Sequence, residues 1–146
     1  MSRPADKWLL CHSRGELYGL DLGWVKEIDY RPQVLPLPTA EPPLCGLVEF
    51  RGSQLPAISL DWLLGQPQAS AAQASVILEV EGRRFALLVE AIGETVMISG
   101  DSLFKLDPFL TADRGFVTRA ARIDHRVVFE LDLIGAGNFL EGARGS

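Results

Sequence analysis

The chain of 146 residues has the length of one domain, which buries roughly two thirds of the surface that its unfolded form exposes. Hydrophobic residues make up 47% of it and charged residues only 23%, a composition that favours a folded core over disorder. The formal net charge of −5 argues against nucleic acid as a partner, because binding to phosphates requires a basic surface.

The sequence does not have the pattern of a secreted or membrane-spanning protein. The apolar run WLLC after Lys7 is too short for the core of a signal peptide and far too short to span a bilayer. The two cysteines, Cys11 and Cys45, are widely separated, which fits a reducing compartment better than a disulfide framework. We therefore expect a cytoplasmic protein.

In chain order, the first predicted elements are short β-strands. Apolar or alternating runs occupy 9–13, 16–22 and 24–30, and they are separated by Arg14-Gly15 and by Gly23. This spacing is typical of strands joined by tight turns.

A proline-rich segment follows at 31–44, with five of the nine prolines of the chain. Because proline fixes φ and has no amide donor, this segment should be extended and at the surface. Residues 45–50 and 55–60 then predict a hairpin around an Arg51-Gly52 turn, with Pro56 near a strand edge.

The middle of the chain predicts a connection. Asp61 is expected to cap one helical turn, which Gly65 ends. The segment 66–75 is small and polar, as expected of a linker or a long loop.

Strand patterns resume after this loop. Runs at 75–82, 83–92 and 94–99 predict three strands, the first two as a hairpin around Glu81-Gly82. Residues 100–115 are expected to form a loop that holds at most a short turn.

A last hairpin is predicted from 116–126 and 127–134, with its turn near Asp124-His125. The chain shows almost no helical periodicity, so its short, regularly spaced strands favour barrels or sandwiches.

The sequence also contains an internal repeat. Residues 14–29 align without a gap with residues 81–96, and residues 55–64 resemble residues 126–135. Two copies indicate two similar halves rather than a solenoid.

We therefore predict an all-β fold of two small antiparallel barrels, each with about five strands. Residues 1–146 would form a single domain with approximate halves 9–66 and 75–140, joined by a loop at 67–74. Barrels would also protect most strand edges from aggregation.

Few residues suggest catalysis or metal binding. His12 adjoins Cys11, but neighbours on a strand point to opposite faces and do not have ligand spacing. His125 is expected in a solvated turn, and neither a Gly-x-Ser-x-Gly elbow nor a complete glycine-rich phosphate loop occurs. Glu27 and Glu94 are equivalent in the repeat, which a shared position at a strand end explains as well as a pair of catalytic carboxylates does.

Four blocks of the sequence, in the same order, resemble the CheW family, the scaffold adaptors of bacterial chemosensory arrays. The most specific block contains Leu-Pro, Pro-Pro, aliphatic-x-Gly, Arg-Gly and aliphatic-Pro-aliphatic elements in the family's order. The blocks are YGLDLGWVKEI (18–28), LPTAEPPLCGLVEFRGSQLPAISL (37–60), SVILEVEGRRFALLVEAIGETVMIS (75–99) and VVFELDLI (127–134).

The resemblance implies two five-stranded SH3-like barrels flanking a hydrophobic groove, without catalytic residues, metal or cofactor. It further implies two protein partners: the cytoplasmic tip of a chemoreceptor and the regulatory domain of a CheA-type histidine kinase. Recognition of the tip would be of the helix-in-groove kind. Neither nucleic acid nor direct insertion into a membrane is implied, although receptor arrays would hold the protein near the inner membrane.

Residue by residue, the resemblance assigns partner-binding roles to Val25 and Glu27, which match the family's Val-x-Glu strand. Arg51 matches the arginine of the Arg-Gly turn, although a purely structural role is equally open. We include Glu49 in the partner-binding site because it lies two positions before Arg51, where the family usually has asparagine, and we consider it as a partner of Arg51 within the chain.

The chain departs from the family pattern at three positions: Glu49, Ser59 and Arg119. A carboxylate beside the docking turn and a cation in place of a small residue could alter partner choice. The departures are compatible with a specialised adaptor, for example one that serves a type IV pilus. Two other classes remain open: a sensor domain that binds a small ligand between the barrels, and an enzyme on small β barrels.

Overall fold

The computed structural model describes residues 6–37, 44–66, 73–106 and 116–145. The segments predicted as a loop at 67–74 and 100–115 and as extended at 31–44 lie partly outside these described residues.

The described residues are mostly β-strand, which confirms the predicted fold class. Two helices and two short 3-10 turns, Leu22–Trp24 and Gly100–Ser102, complete the structure. The elements are β1 Asp6–Ser13, β2 Glu16–Asp21, β3 Val25–Asp29, β4 Val34–Pro36, β5 Leu44–Phe50, β6 Ser53–Ser59, α1 Leu60–Leu63, β7 Ala74–Val80, β8 Arg83–Val89, β9 Ala91–Ile98, β10 Leu103–Lys105, β11 Val117–Ile123, β12 Arg126–Leu131 and α2 Leu133–Gly145.

Four hairpins have two-residue turns in which both central residues have positive φ. The angles are 51° and 82° at Arg14-Gly15, 51° and 83° at Arg51-Gly52, 51° and 82° at Glu81-Gly82, and 47° and 69° at Asp124-His125. Positive φ at both positions characterises the type I′ turn, whose twist matches that of the flanking strands. All four turns lie where the sequence predicted them.

The strands form two six-stranded sheets. Sheet A has the order β10-β11-β12-β2-β1-β9, and sheet B has the order β4-β5-β6-β8-β7-β3. The two orders are equivalent under the repeat, and each contains one parallel pair, β12–β2 in sheet A and β6–β8 in sheet B. Each sheet therefore combines four strands of one half with the first hairpin of the other half.

Each predicted barrel was expected to have about five strands. In the described segments, each sheet has six strands in a linear order with an edge at both ends. The additional strands are β4, in the proline-rich segment, and β10, in the predicted loop at 100–115. At Gly46 of β5, φ is +158° and a Cβ would collide with the carbonyl oxygen of Leu35, so glycine lets β4 approach closely.

Among the residues that the structure describes, buried apolar side chains form three clusters. A central core lies between the two sheets and includes Tyr18, Leu20, Phe85 and Leu87. Each sheet also curls around a core of its own. The core of sheet A consists of Trp8, Leu10, Leu17, Ile98, Ala121 and Val128, and the core of sheet B of Val48, Leu55, Ala57, Ile77, Ala86 and Leu88.

In the middle strands, successive side chains point to opposite faces of the sheet and pack in different cores. In β1, Trp8 and Leu10 face the core of sheet A, whereas Leu9 and Cys11 face the central core. Burial of both faces explains why these strands have continuous apolar runs instead of the alternation of a half-exposed sheet.

The C-terminal helix α2 was not predicted, and the strand expected at 127–134 ends at Leu131. The backbone N–H of Gly135 donates to Asp132 Oδ1 over 2.8 Å, and Leu133, Ala136 and Leu140 pack in the central core. Their spacing is that of one helix face.

The single turn of α1 begins differently from the prediction. Ser59 occupies the N-cap position, whereas Asp61 lies inside the helix and is buried. The carboxylate of Asp61 accepts a hydrogen bond from Ser13 Oγ over 2.5 Å, which ties α1 to the end of β1. Neither α1 nor α2 is long and apolar enough, within the described ranges, to cross a membrane.

Candidate partner-binding site

The four residues predicted to bind partners lie on two regions of sheet B. Val25 and Glu27 belong to β3, the edge strand at one end of the sheet, whereas Glu49 and Arg51 lie at the β5–β6 hairpin. The strand order places β7 and β8 between these two regions, so they meet only because the sheet curls.

Glu27 and Arg51 form an ion pair across the opening of this curl. Arg51 Nη2 donates to Glu27 Oε1 over 2.9 Å, and the guanidinium carbon lies 5.1 Å from the centre of the Phe50 ring. The ring contact and the ion pair hold the arginine side chain in one orientation.

The pair is open to solvent, because 75% of the Arg51 side chain and 44% of the Glu27 side chain are exposed. An exposed ion pair contributes roughly 0–1 kcal/mol to stability. The consequence is two oriented charges at the surface, both accessible to another molecule.

Val25 provides an apolar neighbour at this site. It is half-buried and packs against the central core. By the repeat, its equivalent in β9 is Ile92, which is also half-buried against the same core. The edge strands of both sheets therefore present an apolar side chain at the border of the central core.

Glu49 does not pair with Arg51, contrary to the pairing considered from the sequence. It is exposed on β5, opposite the neutral Gln54 of β6, while the guanidinium of Arg51 binds Glu27. Glu49 instead lines a polar recess of about 260 Å³, formed by Asp29, Arg31, Gln33, Glu49 and Arg51.

The repeat produces a second ion pair that the sequence did not predict. Glu94 of β9, the equivalent of Glu27, lies 3.7 Å from Arg126 through its Oε1 and the arginine Nη2. β9 is an edge of sheet A, and Arg126 follows the β11–β12 turn. Glu94 had been noted in the sequence, but its partner could not be known without the curl of the sheet.

Arg119, one of the departures from the family pattern, is neutralised within the chain. Its Nε and Nη2 donate to the two carboxylate oxygens of Glu130 over 2.6 and 2.9 Å, and Nη2 lies 3.7 Å from Asp6 Oδ2. The hydrogen bond that Arg119 donates to the Glu130 carboxylate raises the pKa of Arg119. The arginine therefore fastens β11 to β12 and to the start of β1.

Ser59, another departure, is buried at the end of β6, where it begins α1. Its position is internal, and nothing in the structure connects it with a partner.

Within the described part of the chain, no group of three or more His, Cys, Asp and Glu side chains is placed to hold a metal ion. Burial raises the pKa of the Cys11 thiol to about 12, so this thiol is protonated at neutral pH.

Two comparisons with known proteins agree. The model of the CheW-like domain family matches residues 7–136. The structure is similar to the crystal structure of the scaffolding protein TtCheW from Thermoanaerobacter tengcongensis, with a TM-score of 0.79 and 25% sequence identity over 88% of this chain and 89% of that one. A search of curated protein sequences found no match.

Proposed function

The chain belongs to the CheW-like domain family, and from that premise we propose that it is a scaffold that couples a chemoreceptor to a CheA-type histidine kinase. It is not an enzyme, because the family and the similar structure are those of scaffold proteins. Its partners are the cytoplasmic tip of the receptor and the regulatory domain of the kinase, and it works in the cytoplasm beside receptor arrays.

The observation that carries this proposal is the Glu27–Arg51 pair. The pair presents two oriented charges at the open edge of sheet B, two residues from the half-buried Val25. Charges at the rim of an interface set the rate of association and the register of the partner, whereas apolar residues supply much of the affinity. Because the edge of sheet B presents both oriented charges and an apolar side chain, it suits a protein partner.

The alternative function considered from the sequence, a sensor domain that binds a small ligand between the barrels, has less support than the scaffold function. The central core between the sheets combines residues of both sheets with residues of α1 and α2. A second recess, of about 400 Å³, lies at Ser102, Phe104 and Arg122 in sheet A, and the polar recess lies in sheet B. Neither of these two recesses lies between the sheets.

The test uses the full chain and purified receptor tips and kinase regulatory domains encoded in the same genome, with Kd measured by biolayer interferometry. We expect the chain to bind at least one of each and to join them in a ternary complex. A receptor associated with a type IV pilus among the binders would identify the specialised pathway.

The matched variants are Glu27→Lys and Glu81→Lys, which reverse one charge in the site and one in the exposed β7–β8 turn. Glu27→Lys should weaken binding about tenfold or more, because the lysine would repel Arg51 and replace the charge that the partner meets. Glu81→Lys should bind as the unaltered chain does. If neither receptor tips nor kinase domains bind the unaltered chain, the proposed function is wrong.

A further inference from the structure

The polar recess beside the Glu27–Arg51 pair has an unequal distribution of charge. Its charged side chains are Asp29, Arg31, Glu49 and Arg51, and Glu27 adjoins it through the ion pair. Three carboxylates and two guanidiniums leave the region with one net negative charge.

Some charged side chains of the recess already have a partner within the chain, and others do not. Arg51 is held by Glu27, and Asp29 Oδ1 accepts the backbone N–H of Arg31 over 2.9 Å. Glu49 is exposed, faces a neutral glutamine across the strand pair, and has no ion-pair partner within the described ranges. Its carboxylate is therefore available to a ligand.

Asp29 and Glu49 line one recess, although they lie on β3 and β5, which the strand order separates. The recess, of about 260 Å³, has room for the end of one long side chain. Besides the paired Arg51, two carboxylates and one guanidinium, that of Arg31, line the recess. The excess of negative charge attracts a cation of a partner and repels a carboxylate.

We propose that this recess receives a lysine or arginine side chain of the protein partner, and that Glu49 is the residue that selects for it. This inference deepens the proposed function by stating the chemistry of the partner at the same site. It assigns to Glu49 a role distinct from that of Arg51, whose charge is already neutralised by Glu27.

The first test measures Kd between the full chain and the receptor tip or kinase domain that binds it, at low and at physiological salt. Glu49→Gln keeps the shape of the side chain and removes its charge. We expect roughly three- to tenfold weaker binding and a smaller dependence on salt. The control, Glu81→Gln, makes the same chemical change in the β7–β8 turn and should leave Kd within about twofold of the unaltered chain.

The opposite assignment is tested with Arg31→Gln. If the recess received a carboxylate instead, Arg31→Gln would weaken binding while Glu49→Gln would strengthen it. That result, or equal binding by Glu49→Gln and the unaltered chain, would overturn the proposal. Melting temperatures of all variants should agree within about 2 °C, because each change is at an exposed position.

A second test needs no protein partner. Nα-acetyl-arginine amide and Nα-acetyl-glutamate amide are titrated into the isotope-labelled chain, and the amide NMR signals of residues 29–33 and 49–52 are followed. The arginine probe should shift these signals, less so in Glu49→Gln, and the glutamate probe should not. If the arginine probe does not shift these signals, the recess proposal is wrong. If the probe shifts them but the chain binds neither receptor tips nor kinase domains, the recess still binds a cation and the proposed function is wrong.

Discussion

Arg51 occupies a turn position at which positive φ favours glycine or asparagine. With φ of 51°, an arginine there is less favourable for the turn than glycine or asparagine would be. Its side chain gains only an exposed ion pair and contact with Phe50. The contribution of Arg51 to stability is therefore small, and we assign its main role to the interface.

Arg51→Ala should weaken partner binding about tenfold while the melting temperature stays within about 2 °C of that of the unaltered chain. Binding affinity and thermal unfolding are measured on the same preparations. A fall in melting temperature with a proportional loss of binding would show that the arginine is structural. Unchanged binding and unchanged stability would remove Arg51 from the site altogether.

Arg119 contrasts with Arg51, because its carboxylate partner is buried. The Glu130 side chain is 8% exposed and accepts two hydrogen bonds from the guanidinium. Arg119→Ala would leave this carboxylate without its main partner and should cost about 2 kcal/mol of unfolding free energy, measured in urea. Arg84→Ala, which breaks the more exposed pair with Glu79, should cost no more than about 0.5 kcal/mol.

The double variant Arg119→Ala with Glu130→Gln should regain part of the loss, because the amide carries no charge. If Arg119→Ala were as stable as Arg84→Ala, the buried ion pair would not stabilise the β11–β12 hairpin.

At the scale of elements, the hairpins are the most predictable part of the fold. An X-Gly dipeptide between two apolar runs specifies both the turn and its conformation, as at Glu81-Gly82. The turn at Asp124-His125 is less favourable, because His125 has φ of 69° without being glycine.

His125→Gly should therefore stabilise the protein by about 0.5 kcal/mol, since glycine adopts this φ without strain. Gly82→Ala supplies the reverse change in a turn where a Cβ would meet no atom within 4 Å, so only φ opposes it. It should destabilise by about 1 kcal/mol. The free energy of unfolding of both variants is measured in urea. If both substitutions stabilised the protein, or both destabilised it, the explanation from φ would be contradicted.

Other elements could not be predicted, for identifiable reasons. Helix α2 contains Gly135 and Gly137, which have low helix propensity, and its stability depends on apolar contacts with the central core. The strands β4 and β10 have three residues each, too few for a periodic pattern. The Glu27–Arg51 pair joins residues that are distant in the sequence, so it depends on the curl of sheet B.

At the scale of the whole molecule, the two sheets have strand orders that correspond under the repeat, but the repeat did not predict that the halves exchange hairpins. Sheet pairing is non-local, and equivalent hairpins could complete the sheet of either half with the same sequence pattern. In the structure, β1–β2 completes the sheet of β9–β12, and β7–β8 completes the sheet of β3–β6.

The exchange predicts that the halves are not independent. Residues 1–66 and 67–146, produced separately, should each lack cooperative unfolding, and their mixture should regain the circular dichroism spectrum of the intact chain. Fragment 1–66 contains β3–β6 of sheet B without β7–β8, and its β1–β2 hairpin lacks the rest of sheet A. Fragment 67–146 contains β9–β12 of sheet A without β1–β2, and its β7–β8 hairpin lacks the rest of sheet B. A fragment 1–66 that unfolds cooperatively as a monomer would show that its hairpin can return to its own half.

The exchanged hairpins also determine the order in which the protein can be completed on the ribosome. Sheet B has all its strands once residue 89 has been synthesised, whereas sheet A needs β12, which ends at Leu131. The β1–β2 hairpin precedes all other strands in the chain, yet its neighbours β9 and β12 are made only after the last strand of sheet B. The face that carries Trp8, which packs in the core of sheet A, must therefore remain uncovered by β9 and β12 until those strands have been synthesised, and chaperones have access to it during that time.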